Sequence, residues 1–312
     1  MRDVVIAARK REARKFARVV AVTAADTIYH IDRRGEEAAL AWLAEHWPAE
    51  WPVEIVMEGL EAATTFPRGT PVRETKLRCI IDPIDGTRGV MYDKRSAWIL
   101  AGLAPQRGGR TSLGDIVVAA MTELPTTKQW RSDQLSAVRG AGVRAQAVDV
   151  FSGARERLAV APSRARDCRG GFAAISRFFP EGKGLLAAME ERLWQELYGR
   201  EGSAGPLVFD DQYICTGGQL YELIVGHDRF LADLRPLVFR KLGVESALVC
   251  HPYDICTALV AREAGCVIEA PLGGKLVSPL DVTTPVAWAG YANAALARQV
   301  RPVLRRLIRR ML

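Results

Sequence analysis

The chain opens on a pattern of helical period. From Val4 to Ala25 apolar residues recur three and four positions apart with a basic face opposite, and RRGEEAALAWLAEHW (Arg33 to Trp47) repeats the arrangement, so two amphipathic helices are expected first. Short runs rich in β-branched residues follow: VEIVM (Val53 to Met57), LRCIID (Leu77 to Asp82), AWILAGL (Ala97 to Leu103), DIVVAAM (Asp115 to Met121) and QLSAVRG (Gln134 to Gly140). Their length and bounding turn residues predict strands, with PQRGGRTSLG (Pro105 to Gly114) as a glycine-rich turn between two of them. After DVFSG (Asp149 to Gly153) strand and helix alternate. RLAVAPS (Arg157 to Ser163) reads as a strand, GLLAAMEERLWQEL (Gly184 to Leu197) as a helix, and DDQYICTGGQLYEL (Asp210 to Leu223) as a helix running into a strand. YDICTALVAREAGCVIEA (Tyr253 to Ala270) predicts a helix from Asp254, stopped by Gly265 and followed by a short strand, and PVAWAGY (Pro285 to Tyr291) a last strand. The expected architecture is a layered sandwich, α+β in a first domain over residues 1–150 and α/β in a second over 151–312.

Composition narrows this picture. With 312 residues, 49% of them hydrophobic, the chain can bury a substantial core. Lys and Arg number 43 against 36 Asp and Glu, a net charge of +7, and much of the excess lies in RKREARKFAR (Arg9 to Arg18) and RQVRPVLRRLIRR (Arg298 to Arg310). Charge confined to terminal helices is a weak case for a nucleic-acid groove, and no nucleic-acid partner is expected. In the C-terminal stretch Val300, Val303, Leu304, Leu307, Ile308, Met311 and Leu312 form a stripe opposite the arginines. That face fits packing on the core or on a partner subunit, or contact with an anionic membrane surface. The six cysteines contain no CxxC pair and sit in apolar contexts, as reduced core residues of a cytoplasmic protein do. Val19 to Ala25 is shorter than the apolar core of a signal peptide, and no run approaches the roughly 18 apolar residues of a membrane span.

Candidate chemistry centres on CIIDPIDGTRGV (Cys79 to Val90). Asp82 is expected to end a buried strand, with Pro83 fixing a turn that brings Asp85 and the carbonyl of Ile84 round beside it. Two carboxylates that close repel unless a cation lies between them, and hard oxygen ligands of this kind suit Mg²⁺. Gly86 and Thr87 would then present free backbone N–H groups to an anion. An isolated D-x-x-D-G is more often a plain turn. Glu58, just after VEIVM, and Asp254, at the expected helix start, would enlarge the ligand set, although a solvated acid and an N-cap explain each of them singly.

DPIDGT (Asp82 to Thr87), with Met57-Glu58 upstream and YDICTALVAREAG (Tyr253 to Gly265) downstream, resembles the inositol monophosphatase and fructose bisphosphatase superfamily of Mg²⁺-dependent, lithium-sensitive phosphatases. The resemblance extends to ADTIYHIDRRGEEAALAWL (Ala25 to Leu43), ELPTTKQWRSDQLSAVRGAGVRA (Glu123 to Ala145) and YICTGGQLYELIVG (Tyr213 to Gly226), and so covers nearly the whole chain. It implies alternating α-β-α-β-α layers of the inositol monophosphatase type. Carried over by position, it implies that Glu58, Asp82 and the Ile84 carbonyl hold one metal and Asp82, Asp85 and Asp254 another. Thr87 paired with Asp32 would activate the attacking water, and the amides of Gly86 and Thr87 would hold the phosphate. The implied activity is two-metal hydrolysis of a small phosphorylated metabolite, a sugar or inositol monophosphate, with two or three Mg²⁺ ions and a homodimeric assembly. The alternatives are a bisphosphorylated sugar or nucleotide as substrate, or a catalytically silent relative that binds a phosphorylated ligand or a partner.

The chain departs from the resembled pattern in places that bear on its substrate. Gly59 follows Glu58 where a second acid is usual, which weakens a third-metal site, and the next acid is Glu61. Tyr253 replaces a tryptophan before Asp254, and RGVMYDKRSAW (Arg88 to Trp98) brings Arg88, Lys94 and Arg95 towards the site. LVFDDQYIC (Leu207 to Cys215) replaces a small-residue stretch, so Phe209, Asp210 and Asp211 are expected to reshape the pocket. Residues 226–252 form a longer link than usual and carry Arg229, Arg235, Arg240 and Lys241. They fit an added surface helix with solvated charges, or a set from which one arginine reaches a second anionic group on the substrate.

Overall fold

The computed structural model describes residues 2–11, 19–22, 27–60, 63–199, 207–245 and 248–312. Two helices, α1 (Arg2–Arg11) and α2 (His30–His46), flank a small hairpin of β1 (Val19–Val22) and β2 (Thr27–Tyr29). The helix expected over Val4 to Ala25 is therefore corrected: Val19–Val22 is β-branched enough to pair as a strand, and the intervening residues 12–18 and 23–26 lie outside the described set.

An eight-stranded sheet follows, built from β3 (Val53–Met57), β4 (Thr64–Phe66), β5 (Leu77–Asp85), β6 (Ala97–Pro105), β7 (Val118–Leu124), β8 (Arg131–Val138), β9 (Val143–Asp149) and β10 (Arg155–Arg157), with α3 (Thr87–Met91) between β5 and β6. Its order is β10-β9-β8-β7-β6-β5-β3-β4, antiparallel except where β3 runs parallel to β5. Beyond it lies a four-stranded sheet, β11-β12-β14-β13, made of β11 (Phe172–Ile175), β12 (Asp228–Asp233), β13 (Val267–Glu269) and β14 (Trp288–Tyr291). Helices α4 (Lys183–Tyr198), α5 (Thr216–Ile224), α6 (Arg235–Leu242), α7 (Ala258–Glu263) and α8 (Ala294–Met311) complete the chain.

Strand alternation sets the layers. Cys79 and Ile81 of β5 pack with Ala39 and Leu43 of α2 on one face of the large sheet, whereas Ile80 of β5 and Trp98 and Leu100 of β6 join the main core on the other. Helices α5 and α7 fill the space between the two sheets, and α4 and α8 cover the far side of the small one. The layers run α-β-α-β-α, the order that the resemblance implies.

Three local expectations are revised. RLAVAPS keeps only Arg157 in a strand. DDQYICTGGQLYEL is a loop leading into α5 at Thr216, and the strand comes later, as β12. The 226–252 segment is no surface appendage, because β12 lies between β11 and β14 and Phe230, Ala232 and Asp233 are fully buried. The stripe on α8 packs on the core, with Val300, Leu304, Leu307 and Ile308 buried, and its arginines pair with Glu196 of α4 and Glu269 of β13.

A candidate metal and phosphate site at the end of β5

Side chains three residues apart on a strand point to opposite faces. Asp82 and Asp85 escape this rule because β5 carries a bulge: Asp82 pairs with Leu100 and Asp85 with Trp98, so two residues of β5, Pro83 and Ile84, stand opposite one of β6, Ile99. Pro83, which has no N–H to give the ladder, sits within the irregularity. The expected turn at Pro83 is thus an irregular continuation of the strand. Its effect is that both carboxylates face the interior, where Asp82 is 1% and Asp85 6% exposed.

Asp254 meets them from the opposite side. It does not start a helix, since α7 begins at Ala258, and its Oδ2 instead accepts from the backbone N of His251 at 2.5 Å in the preceding turn. Asp82, Asp85 and Asp254 each offer an oxygen within 4.8 Å of the others. Burial first, then mutual repulsion, pushes the carboxyls of Asp82 and Asp254 well above the ordinary range. Burial raises Asp85 from 3.8 to about 7, against the lowering effect of hydrogen bonds from the α5 N-terminus. One of those bonds comes from Gly217, where a Cβ would lie 2.9 Å from Asp85 Oδ2, so the absent side chain allows the approach.

Glu58 lines the same cavity but stands outside that group of three, and its Oε1 accepts from the Tyr253 hydroxyl at 3.3 Å. Thr87 Oγ1 lies 2.8 Å from Asp32 Oδ1 and 2.9 Å from the Ile84 carbonyl. Gly86, in the left-handed region at φ 95°, turns the chain from β5 into α3. Every residue of the implied metal, phosphate and water-activating set except Asp32 lines the cavity directly, and Asp32 reaches it through Thr87.

Other residues fall elsewhere. Arg95 pairs with Asp211 and, with Lys94, lines a separate cavity of about 540 Å³ around Glu123, Asp133 and Tyr213. Asp210 pairs with Arg177, and Phe209 bridges to β11, so the expected reshaping of the pocket by 209–211 is corrected. Its apolar wall is Phe178, Phe179, Ile214, Leu248 and Val249, none of which the sequence pattern signalled. Arg88 and Arg235 are the cations on that cavity among the described residues. Glu36, one turn after Asp32, was also missed. A Cβ at Gly59 would collide with its carboxylate, so the glycine in the second-acid position leaves room for Glu36, whose carboxyl is raised to about 7 by burial and by Asp32. Glu61 lies outside the described residues.

Comparison with solved structures places the fold. The suppressor protein SuhB from Bartonella henselae matches over 100% of this chain and 95% of its own, with 17% identity and a TM-score of 0.65. Fructose-1,6-bisphosphatase from Leishmania major matches over 98% of this chain and 90% of its own, with 13% identity and a TM-score of 0.67. An IMPase/NADP phosphatase complexed with Mg²⁺ and phosphate matches over 96% and 90%, with 12% identity and a TM-score of 0.62. No family model matches the sequence, and no curated protein does. The chain has the fold of the inositol monophosphatase and fructose-1,6-bisphosphatase structures.

Proposed function

We propose that the protein is a Mg²⁺-dependent phosphatase of small phosphorylated metabolites. The observation that carries this reading is the convergence of Asp82, Asp85 and Asp254 on one point of a cavity. Three carboxylates this close, two buried and the third partly so, require protons or a cation, and an all-oxygen donor set selects a hard divalent ion. The Mg²⁺ and phosphate bound by the IMPase/NADP phosphatase of the same fold support that choice. Asp82, Asp85 and Asp254 would hold one ion and Glu58, Asp82 and the Ile84 carbonyl a second; such ions supply an activated water and neutralise the departing oxygen.

The chain's own groups supply proton transfer and orientation. The Thr87 hydroxyl has one proton for two acceptors within reach. Donated to Asp32, it leaves the Thr87 oxygen free to accept from a water, and as the water's proton passes to Thr87 the Asp32 carboxylate takes the Thr87 proton. The amides of Gly86 and Thr87 would face the phosphate oxygens. On the same reading the protein is a cytoplasmic homodimer, with the metal loop in residues 1–150 and Asp254 in residues 151–312.

The test is phosphate release from a panel of phosphorylated sugars, inositols and nucleotides, with and without Mg²⁺, for wild type and Asp85→Asn. Turnover that needs Mg²⁺ and disappears in the variant is the expected result. A folded protein that binds Mg²⁺ and hydrolyses nothing would favour a silent ligand-binding relative. One that fails to bind Mg²⁺ would overturn the reading of DPIDGT.

A further inference from the structure

A cation lies buried on the wall of the proposed active-site cavity. Arg235, 6% exposed, opens α6 directly after β12 and lines the cavity with Phe178, Phe179, Leu248 and Asp254. Its Nε donates to Asp233 Oδ1 at 2.9 Å, its Nη2 to Asp233 Oδ2 at 2.5 Å and its Nη1 to the Leu248 carbonyl at 2.8 Å. The guanidinium carbon stands 4.4 Å from the Phe178 ring centre and 5.3 Å from that of Phe179. The side chain is thus held in one orientation by packing and by a two-point ion pair.

Two consequences follow for the cavity. Asp233 is 0% exposed and both its oxygens are taken by Arg235, so it cannot accept from the hydroxyls of a polyol. A guanidinium has five N–H bonds, and among the described residues the three side-chain donations leave one N–H on each terminal nitrogen. The wall therefore presents fixed N–H donors to whatever sits beside the carboxylates, on a guanidinium whose charge Asp233 balances.

We propose that Arg235 is a specificity-determining residue that binds a second anionic group, a carboxylate or a second phosphate, on a substrate whose other phosphate is hydrolysed at Asp82, Asp85 and Asp254. This rests on the phosphatase reading and narrows it to doubly anionic substrates. The geometry matches: anions are recognised by paired N–H donors of a rigid guanidinium, and the pair's own carboxylate is already withdrawn.

Two matched substrate pairs test it: fructose 1,6-bisphosphate against fructose 1-phosphate, and 2-phosphoglycolate against 2-hydroxyethyl phosphate, each with saturating Mg²⁺. Wild type should favour the doubly anionic member of at least one pair by about tenfold to a hundredfold in kcat/KM, the range of one charge-assisted contact. A preference in the first pair alone identifies the second group as phosphate, and in the second pair alone as carboxylate. Removing Arg235 by itself would leave Asp233 buried and unpaired and could unfold the chain, so the variants are Arg235→Lys and the double change Asp233→Asn/Arg235→Gln, each checked for folding by thermal melting. The double variant should lose the preference through KM rather than kcat, and Arg235→Lys should retain part of it. Absence of preference in wild type, or an unchanged preference in the folded double variant, overturns the proposal while leaving the phosphatase reading intact. If none of the four is hydrolysed, calorimetric titration of each pair with Ca²⁺ present decides Arg235 separately. Tighter binding of a doubly anionic member, lost in the double variant, supports the role of Arg235; equal binding within both pairs refutes it.

Discussion

Asp85→Asn should stabilise the metal-free protein and abolish most of its stabilisation by Mg²⁺. In the folded chain Asp85 holds its proton up to about pH 7, whereas its ordinary value is 3.8. The folded state therefore binds more protons than the unfolded state between these values, and stability without metal falls as pH rises from about 4 to about 7, staying low above that. A shift of about 3 units at about 1.4 kcal/mol each makes the ionised carboxylate worth up to ~4 kcal/mol of destabilisation at pH 8. Asparagine removes the charge and keeps an oxygen for the Gly217 amide. Over 312 residues an unfolding entropy of about 2.1 cal/mol/K per residue converts 1 kcal/mol into about 1.5 °C, so the variant should melt up to ~6 °C above wild type in chelator at pH 8. At pH 5.5 wild-type Asp85 is protonated in the folded chain but ionised in the unfolded one, so about half of the difference should remain, and it should vanish only below about pH 4. With Mg²⁺ at a hundredfold its dissociation constant wild type gains about 2.7 kcal/mol, which closes most of the gap, and at a thousandfold about 4.1 kcal/mol, which closes it. Calorimetric melts of both proteins under the four conditions are the assay. A variant less stable than wild type in chelator at pH 8, or a wild type indifferent to Mg²⁺, would refute the reasoning.

Other consequences are as direct. Thr87→Ala should lower phosphate release by about a hundredfold to ten-thousandfold with Thr87→Ser retaining most of it, because only the hydroxyl carries the relay; steady-state kinetics separates the two. Gly86→Ala should cost about 1–3 kcal/mol in urea unfolding, since φ is 95° there and a Cβ would lie 2.9 Å from that of Cys215. Leu304→Ala, fully buried on α8, should cost about 2–5 kcal/mol, whereas Arg306→Ala, which breaks an exposed pair with Glu196, should cost under about 1 kcal/mol.

Much of the fold was legible because burial is written in periodicity. The short apolar runs VEIVM and LRCIID mark β3 and β5 as strands between two apolar layers, and DPIDGT with its distant partners pointed to the site that the structure assembles. The bulge was not legible, because a proline and two aspartates read as a turn unless the pairing with β6 is known. The strand β12 was hidden by its charges: Asp233 is buried only because Arg235 neutralises it, and Arg229 is tied to the carbonyls of Asp167 and Arg169. A sequence shows such residues as solvent-loving, and only three-dimensional pairing reverses that reading. Glu36 had no signal beyond its spacing of one helical turn from Asp32.

The central claim is that Asp82, Asp85 and Asp254 share divalent cations beside a phosphate. A crystal structure of the protein with Mn²⁺ and inorganic phosphate, with the metal located by anomalous scattering, tests it most directly. The account predicts a metal peak ligated by all three carboxylates, with phosphate facing the amides of Gly86 and Thr87. Anomalous density elsewhere, or a cavity in which the three carboxylates bind no metal, would contradict it.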